Sequence, residues 1–292
     1  MKKNLSAKST LNRHGLAPSK KRGQNFLVNP RTAEMIVELA GYSVKEKVIE
    51  VGVGLGALTL PLAHRVHQVI GLEVDKGMIR YHQTEQILPD NVQLIHGDIL
   101  AADFSQFYKQ IGAQVKLIAN LPYAISNQFI FKIIENKKYI DQVTVMLQKE
   151  VADRLSARPD CKEYGIPTIL LGSCAQIIKL MTLKPAEFYP RPKIDSVVLR
   201  ITFDKKQDDS YNYTHFQKIV RTAFNNRRKT LCNNLASPVI FTEHVSATKA
   251  ELKKQAAALI NDAGLQPGIR AEALSIDDFQ KLTKAFAKFT HS

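Results

Sequence analysis

Among its 292 residues the sequence has only three cysteines, at positions 161, 174 and 232. They show no metal-type spacing and leave an odd thiol, which argues against a disulfide scaffold or a zinc module. The eight histidines show no ligand spacing either, so no metal is expected. No run of 18 apolar residues occurs, so no helix is expected to cross a bilayer. The N-terminus is basic with no apolar segment behind it, which does not read as a secretory signal. A reducing, cytoplasmic setting is expected. Acidic residues are also short: 27 Asp and Glu stand against 41 Lys and Arg.

What is present is an ordinary globular composition, 45% apolar and 23% charged, of a length that suggests two domains. The net charge of +14 points to a polyanionic partner, nucleic acid before membrane. Its distribution is uneven. Residues 1–24 hold seven Lys/Arg and no acid, and residues 201–292 hold 14 against nine. The middle, 25–200, is nearly balanced, with 20 against 18.

Residues 1–21, rich in Lys, Ser and Asn without apolar periodicity, read as a flexible basic arm. Thr32–Ala40 reads as a helix stopped by Gly41. Short apolar runs then alternate with helical patterns: Val48–Val51, Val69–Leu72, Val92–Ile95, Lys116–Ala119 and Val143–Met146. Two more strands are expected near Ala175–Leu180 and Val197–Phe203. This alternation predicts an α/β, Rossmann-like, mainly parallel sheet over residues 22–205, with helices on both faces. After a polar linker at 204–210 only helices follow: Tyr213–Leu235, Lys249–Asp262 and Ile276–Phe289. Residues 206–292 therefore read as a smaller all-α domain.

The first strand runs into Glu50-Val51-Gly52-Val53-Gly54-Leu55-Gly56. Glycines there let the backbone turn sharply and leave room for a ligand before a helix N-terminus. Two cofactor classes compete for such a loop. The dinucleotide pattern G-x-G-x-x-G would need a third glycine where Ala57 stands. The observed spacing resembles the first motif of S-adenosylmethionine-dependent methyltransferases. Glu73, ending the second strand, is placed to accept from ribose hydroxyls, and Asp98, after the third, from an adenine amine. The bland reading of each is an acid capping the next helix.

After the fourth strand comes Asn120-Leu121-Pro122-Tyr123, which resembles the fourth motif of adenine-N6 methyltransferases. The bland reading is a strand-to-turn junction stopped by proline. The chemical one is specific. The exocyclic nitrogen of adenine is a poor nucleophile because its lone pair is delocalised into the ring. The Asn120 side-chain carbonyl and the Leu121 backbone carbonyl could each accept one of its N–H groups, aiming the lone pair at a methyl donor. Pro122 fixes the turn, and Tyr123 offers a face for a flipped base. No strong general base is required. After one transfer a single N–H remains for two acceptors, so a dimethylating site must tolerate a rotated amine.

Further segments extend the likeness. Lys21–Leu27, Gln148–Ala152, Phe188–Ser196, Phe224–Leu231 and Arg270–Ser275 resemble motifs of the ribosomal RNA adenine-N6 dimethyltransferases, over residues 20–280. The bacterial small-subunit branch of that family acts on two adjacent adenosines in the 3′-terminal hairpin loop of 16S rRNA. The resemblance implies S-adenosylmethionine as cofactor, with Asn25, Leu27, Gly52, Gly54, Glu73, Asp98 and Asn120 around it. It implies Phe188 near the flipped adenine, opposite Tyr123. Ile166-Pro167, where the family usually has a small or apolar pair, departs from the pattern away from the cofactor.

If Tyr213–Leu235 is one helix, Phe224, Leu231 and Leu235 form an apolar stripe, flanked by a polar arc. Arg221, Arg227, Arg228 and Lys229 are the expected phosphate contacts. Three alternatives stand beside the small-subunit reading. One is the related 23S rRNA methyltransferase, disfavoured by the Phe224–Leu235 and Arg270–Ser275 segments. The others are a non-catalytic assembly factor and a nicotinamide-dependent oxidoreductase. A monomer acting on rRNA of the small ribosomal subunit or its precursor, without a membrane, is expected.

Overall fold

The computed structural model describes residues 6–19, 23–203, 210–241 and 248–289. Two compact units emerge: residues 1–152 with 175–204, and residues 153–174 with 205–292. The first contains α1 (Ala7–Arg13), β1 (Phe26–Leu27), α2 (Pro30–Ala40), β2 (Lys47–Val51), α3 (Thr59–Ala63), β3 (Gln68–Glu73), α4 (Lys76–Glu85) and β4 (Val92–His96). It continues with α5 (Phe104–Ile111), β5 (Val115–Asn120), α6 (Ser126–Glu135) and β6 (Ile140–Gln148). α7 (Lys149–Leu155) leads into the second unit, which holds α8 (Ile166–Gly172). The chain then returns as β7 (Gln176–Leu183), β8 (Phe188–Tyr189) and β9 (Ser196–Thr202).

The seven-stranded sheet has the order β4-β3-β2-β5-β6-β9-β7. Strands β2 to β6 run parallel, as the alternation predicts. Their centres are apolar runs: Val48, Ile49, Val69, Ile70, Leu117 and Ile118 are all fully buried. That is the signature of strands covered on both faces. Each such side chain contributes about 1.5–3 kcal/mol of burial. The far edge differs from a purely parallel reading, because β9 runs antiparallel to both β6 and β7. Residues 184–195 contain Pro185, Pro190 and Pro192 and no α-helix, so no crossover helix is available to make β9 parallel to β7.

Part of the expected N-terminal arm is ordered structure. Ser6 caps α1, and Leu11, 1% exposed, packs with Phe26 and Met78. One buried leucine in a polar stretch gives no periodicity to read. Residues 1–5 and 20–22 lie outside the described residues. A second short ladder was also invisible in sequence: β1 pairs antiparallel with β8, Phe26 opposite Tyr189 and Leu27 opposite Phe188.

Among its described residues the second unit is all-helical, with α9 (Tyr213–Ala223), α10 (Leu231–Leu235), α11 (Lys249–Asp262) and α12 (Ile276–Phe289). It corrects two expectations. Residues 153–174, read as part of the sheet domain, belong here. Ile169, Leu170 and Leu171 of α8 are fully buried, and the Tyr164 hydroxyl donates to the Leu274 carbonyl at 2.8 Å. The helix expected over Tyr213–Leu235 is broken between α9 and α10, so its continuous apolar stripe does not exist. Asn234, from α10, donates to the carbonyls of Ala223 (2.7 Å) and Asn226 (3.0 Å), holding a loop where the helix would have continued. The polar linker read at 204–210 falls, except for Ser210, outside the described residues.

Candidate active site

The strand order reverses at β2, which lies between β3 and β5, and ligands of open α/β sheets bind in the crevice at that switch point. Val51 pairs with Ala119, so the loop after β2 and the tetrad after β5 leave the sheet side by side. A cavity opens there, with Asn25, Leu27, Gly52, Gly54, Glu73, Asp98, Asn120 and Pro122 in its wall. Every residue expected to hold the cofactor is thus brought to one cavity.

Gly52 has φ +79°, and a Cβ on it would lie 3.1 Å from the Asn120 carbonyl oxygen. A side chain there would be strained and would press on the tetrad. Gly54, also at positive φ, faces the Phe26 ring, which a Cβ would meet at 3.2 Å. Its N–H donates to Glu73 Oε2 at 2.9 Å, while Glu73 Oε1 accepts from the Asp75 N–H at 2.8 Å. Each carboxylate oxygen keeps a lone pair for a further donor. Burial raises the Glu73 pKa against those two hydrogen bonds. Asp98 is exposed, and its Oδ1 accepts from the Leu100 N–H at 2.9 Å.

Glu50 is the least comfortable group in the wall. It is 1% exposed, and its Oε2 and the nearby Thr59 hydroxyl have no hydrogen-bond partner among the described residues. Burial, with the Glu73 charge adding to it, pushes its pKa up to about 8. The sequence marked it only as the acid preceding the glycines. His82 gave no sequence signal at all. It is 3% exposed, and burial lowers its pKa. In that neutral form its Nε2–H donates to the Gly54 carbonyl at 2.9 Å, bracing the loop from α4.

In the tetrad, the Asn120 Nδ2 donates to the Asn25 carbonyl at 3.2 Å. That bond fixes the amide and leaves its Oδ1 available as an acceptor. Leu121 is 2% exposed and anchors the turn, while Pro122 leads into a 3-10 turn over Tyr123–Ile125. The Tyr123 hydroxyl and Ser196 Oγ are 2.6 Å apart, so the ring is tethered by its far end. Phe188 lies in β8, paired with Leu27. It is 2% exposed, packs with Leu27, Ile36 and Val198, and lines a neighbouring cavity that also takes in Leu27, Leu55 and Ala57.

In the helical unit the expected cations separate. Arg227 donates to Glu272 at 2.8 Å and to the Lys162 carbonyl at 2.6 Å. It ties the Arg270–Ser275 segment to the residues just before Tyr164, while its side chain stays 41% exposed. Arg228 and Lys229 sit on the same loop with exposed side chains, and Arg221 lies in the last turn of α9.

The seven-stranded sheet with its glycine-loop cavity defines a class I methyltransferase fold. Residues 17–266 match the ribosomal RNA adenine dimethylase family, and the chain belongs to that family. It is 50% identical over 280 residues to the ribosomal RNA small subunit methyltransferase A of Desulfotalea psychrophila, covering 96% of this chain and 95% of the relative. A dimethyladenosine transferase from Plasmodium falciparum superposes with a TM-score of 0.76 at 26% identity, over 90% of this chain and 98% of that one. The 23S rRNA methyltransferase ErmE shares the fold, with a TM-score of 0.63 at 19% identity, over 90% of this chain and 99% of its own. No described helix is long and apolar enough to cross a membrane.

Proposed function

We propose that this protein transfers methyl groups from S-adenosylmethionine to the N6 amines of two adjacent adenosines in the 3′-terminal hairpin loop of 16S rRNA. The carrying observation is the tetrad at the carboxyl end of β5, beside the glycine-loop cavity, with Asn120 held by the Asn25 carbonyl. The cavity suits the donor: glycines at positive φ give close backbone approach, Glu73 keeps acceptor capacity for ribose hydroxyls, and Asp98 is open to an adenine amine. When bound, S-adenosylmethionine supplies a methyl group on a sulfonium, which leaves as a neutral thioether.

The chain's own part is orientation. Asn120 Oδ1 and the Leu121 carbonyl accept the two N–H groups of the target amine. That alignment draws its lone pair out of the ring and stabilises the positive charge developing on nitrogen. A new N–C bond forms as the S–C bond breaks, and the nitrogen then loses a proton to solvent. Tyr123, tethered through Ser196, offers its ring as the stacking surface. Arg221, Arg228 and Lys229 are the phosphate contacts in this reading, and the protein acts in the cytoplasm as a monomer on the small subunit or its precursor.

Labelled methyl transfer into unmethylated small ribosomal subunits tests the reading. Dimethyladenosine in the 3′-terminal hairpin, absent with Asn120→Ala, is the expected result. Label in large-subunit RNA would favour the 23S alternative. Cofactor binding without transfer to either would favour an assembly role.

A further inference from the structure

A second cavity, of about 1010 Å³, lies outside the cofactor cavity in the same unit. The two share Leu27, Leu55 and Ala57, so β1 and the glycine loop form a common wall. The outer wall of the second cavity is α1. Leu11 pins that helix to the Phe26–Met78 cluster, and His14 lies 3.4 Å from Glu85 and edge-on to Tyr81 at 5.0 Å. The helix therefore presents its remaining faces from a fixed position.

The lining is cationic and aromatic together. Lys8, Arg13 and Arg191 are exposed, and no described residue pairs with any of them. The one acid, Glu85, already faces His14. Tyr81 and Tyr189 are half-buried and belong to the cavity wall. Cations spaced around aromatic faces suit a single-stranded nucleotide: the phosphates take the charges and a base takes a ring.

We infer that this cavity is a second RNA subsite, holding a nucleotide of the substrate strand that flanks the target adenosine while α1 clamps its phosphates. The inference rests on the reading above for the identity of the strand. It explains why α1, in a stretch without an acid from residue 1 to 24, is packed against the catalytic unit instead of trailing from it.

The test uses the full chain with Lys8, Arg13 and Arg191 all replaced by Ala. All three are exposed, so the fold should survive, which a thermal melt checks. Binding of a 16S 3′-terminal hairpin RNA is measured against salt, beside titration with S-adenosylhomocysteine. The expected result is RNA affinity at least about tenfold weaker, a log–log salt slope lower by about two, and unchanged S-adenosylhomocysteine affinity. A hairpin carrying 4-thiouridine should crosslink to peptides containing Tyr81 or Tyr189. Unchanged RNA affinity and slope would overturn the inference. So would lost S-adenosylhomocysteine binding with RNA binding intact, which would make α1 a cofactor lid. Polyglutamate competing as well as RNA would also overturn it, as an unspecific polyanion surface. The binding arm needs no methyl transfer. RNA binding lost in the variant, with no transfer by the unaltered chain, would refute only the proposed activity. Transfer by the unaltered chain with undiminished binding by the variant would refute only the subsite.

Discussion

The glycine-loop cavity and the loop between α9 and α10 carry two kinds of residue in the proposed function, and they obey different rules. In the cavity, the proposed function falls to backbone conformation and buried polar groups: Gly52 at positive φ, Glu73 between two N–H groups, Asn120 held by Asn25. Each residue is fixed by a strand end, so its place in the sequence nearly determines its place in space. In the loop, the proposed function falls to long cations whose backbone position says little about where their charge goes. Arg227 and Arg228 are neighbours and both exposed, yet Arg227 is tied to Glu272 and the Lys162 carbonyl while no described residue holds the Arg228 side chain. Four variants would break or sharpen that contrast.

The largest effect belongs to Glu50, which in the folded chain has its pKa pushed up to about 8. Unfolded, it titrates near the ordinary value of 4.5. Between these values the folded state holds a proton that the unfolded state has released. Its burial is therefore tolerated at low pH and becomes destabilising as pH rises through this window. The integrated change is up to about 5 kcal/mol from pH 4.5 to 8. Denaturant unfolding across that range should show Glu50→Gln with a flatter pH profile than the unaltered chain. Identical profiles would mean that Glu50 ionises freely where it is.

Asn120→Ala removes an acceptor that acts on the developing charge. By analogy with removal of one preorganised hydrogen-bonding group, kcat for methyl transfer should fall about 10²–10³-fold. S-adenosylhomocysteine affinity should change far less. Single-turnover assays alongside calorimetric titration separate the two, and a loss confined to affinity would demote Asn120 to a wall residue.

Arg227→Ala should cost about 1–2 kcal/mol of stability through its lost carbonyl and carboxylate bonds. If instead the melt is unchanged and only RNA affinity falls, Arg227 is a phosphate contact and the clamp is incidental.

The same contrast explains what the sequence made legible. The parallel strands, the glycine loop, Glu73, Asp98 and the Asn120–Tyr123 tetrad could be placed because apolar runs and strand ends are local signals. β1 and β8 escaped because two-residue strands have no period. The break after Ala223 escaped because it depends on Asn234, eleven residues away, capturing the Ala223 carbonyl. His82 escaped because a lone histidine on a helix has no spacing to reveal that its Nε2 meets the glycine loop. Residues 153–174 joined the helical unit through contacts such as Tyr164 with Leu274, 110 positions apart, which no local pattern encodes.

The smallest effect on stability, and the sharpest test of the loop, comes from Arg228 and Lys229 together. Both side chains are exposed, so replacing both with Ala should leave the melting temperature nearly unchanged, within about 0.5 kcal/mol. If their charge is spent on phosphates, affinity for a 16S hairpin should fall severalfold. Its salt slope should drop by about 1.5 if both pair with single-stranded phosphates. Arg227→Ala should leave that slope alone. A common slope change in both variants would mean that the loop acts as one diffuse patch of charge, and that neighbouring arginines here are not sorted into a clamp and a contact.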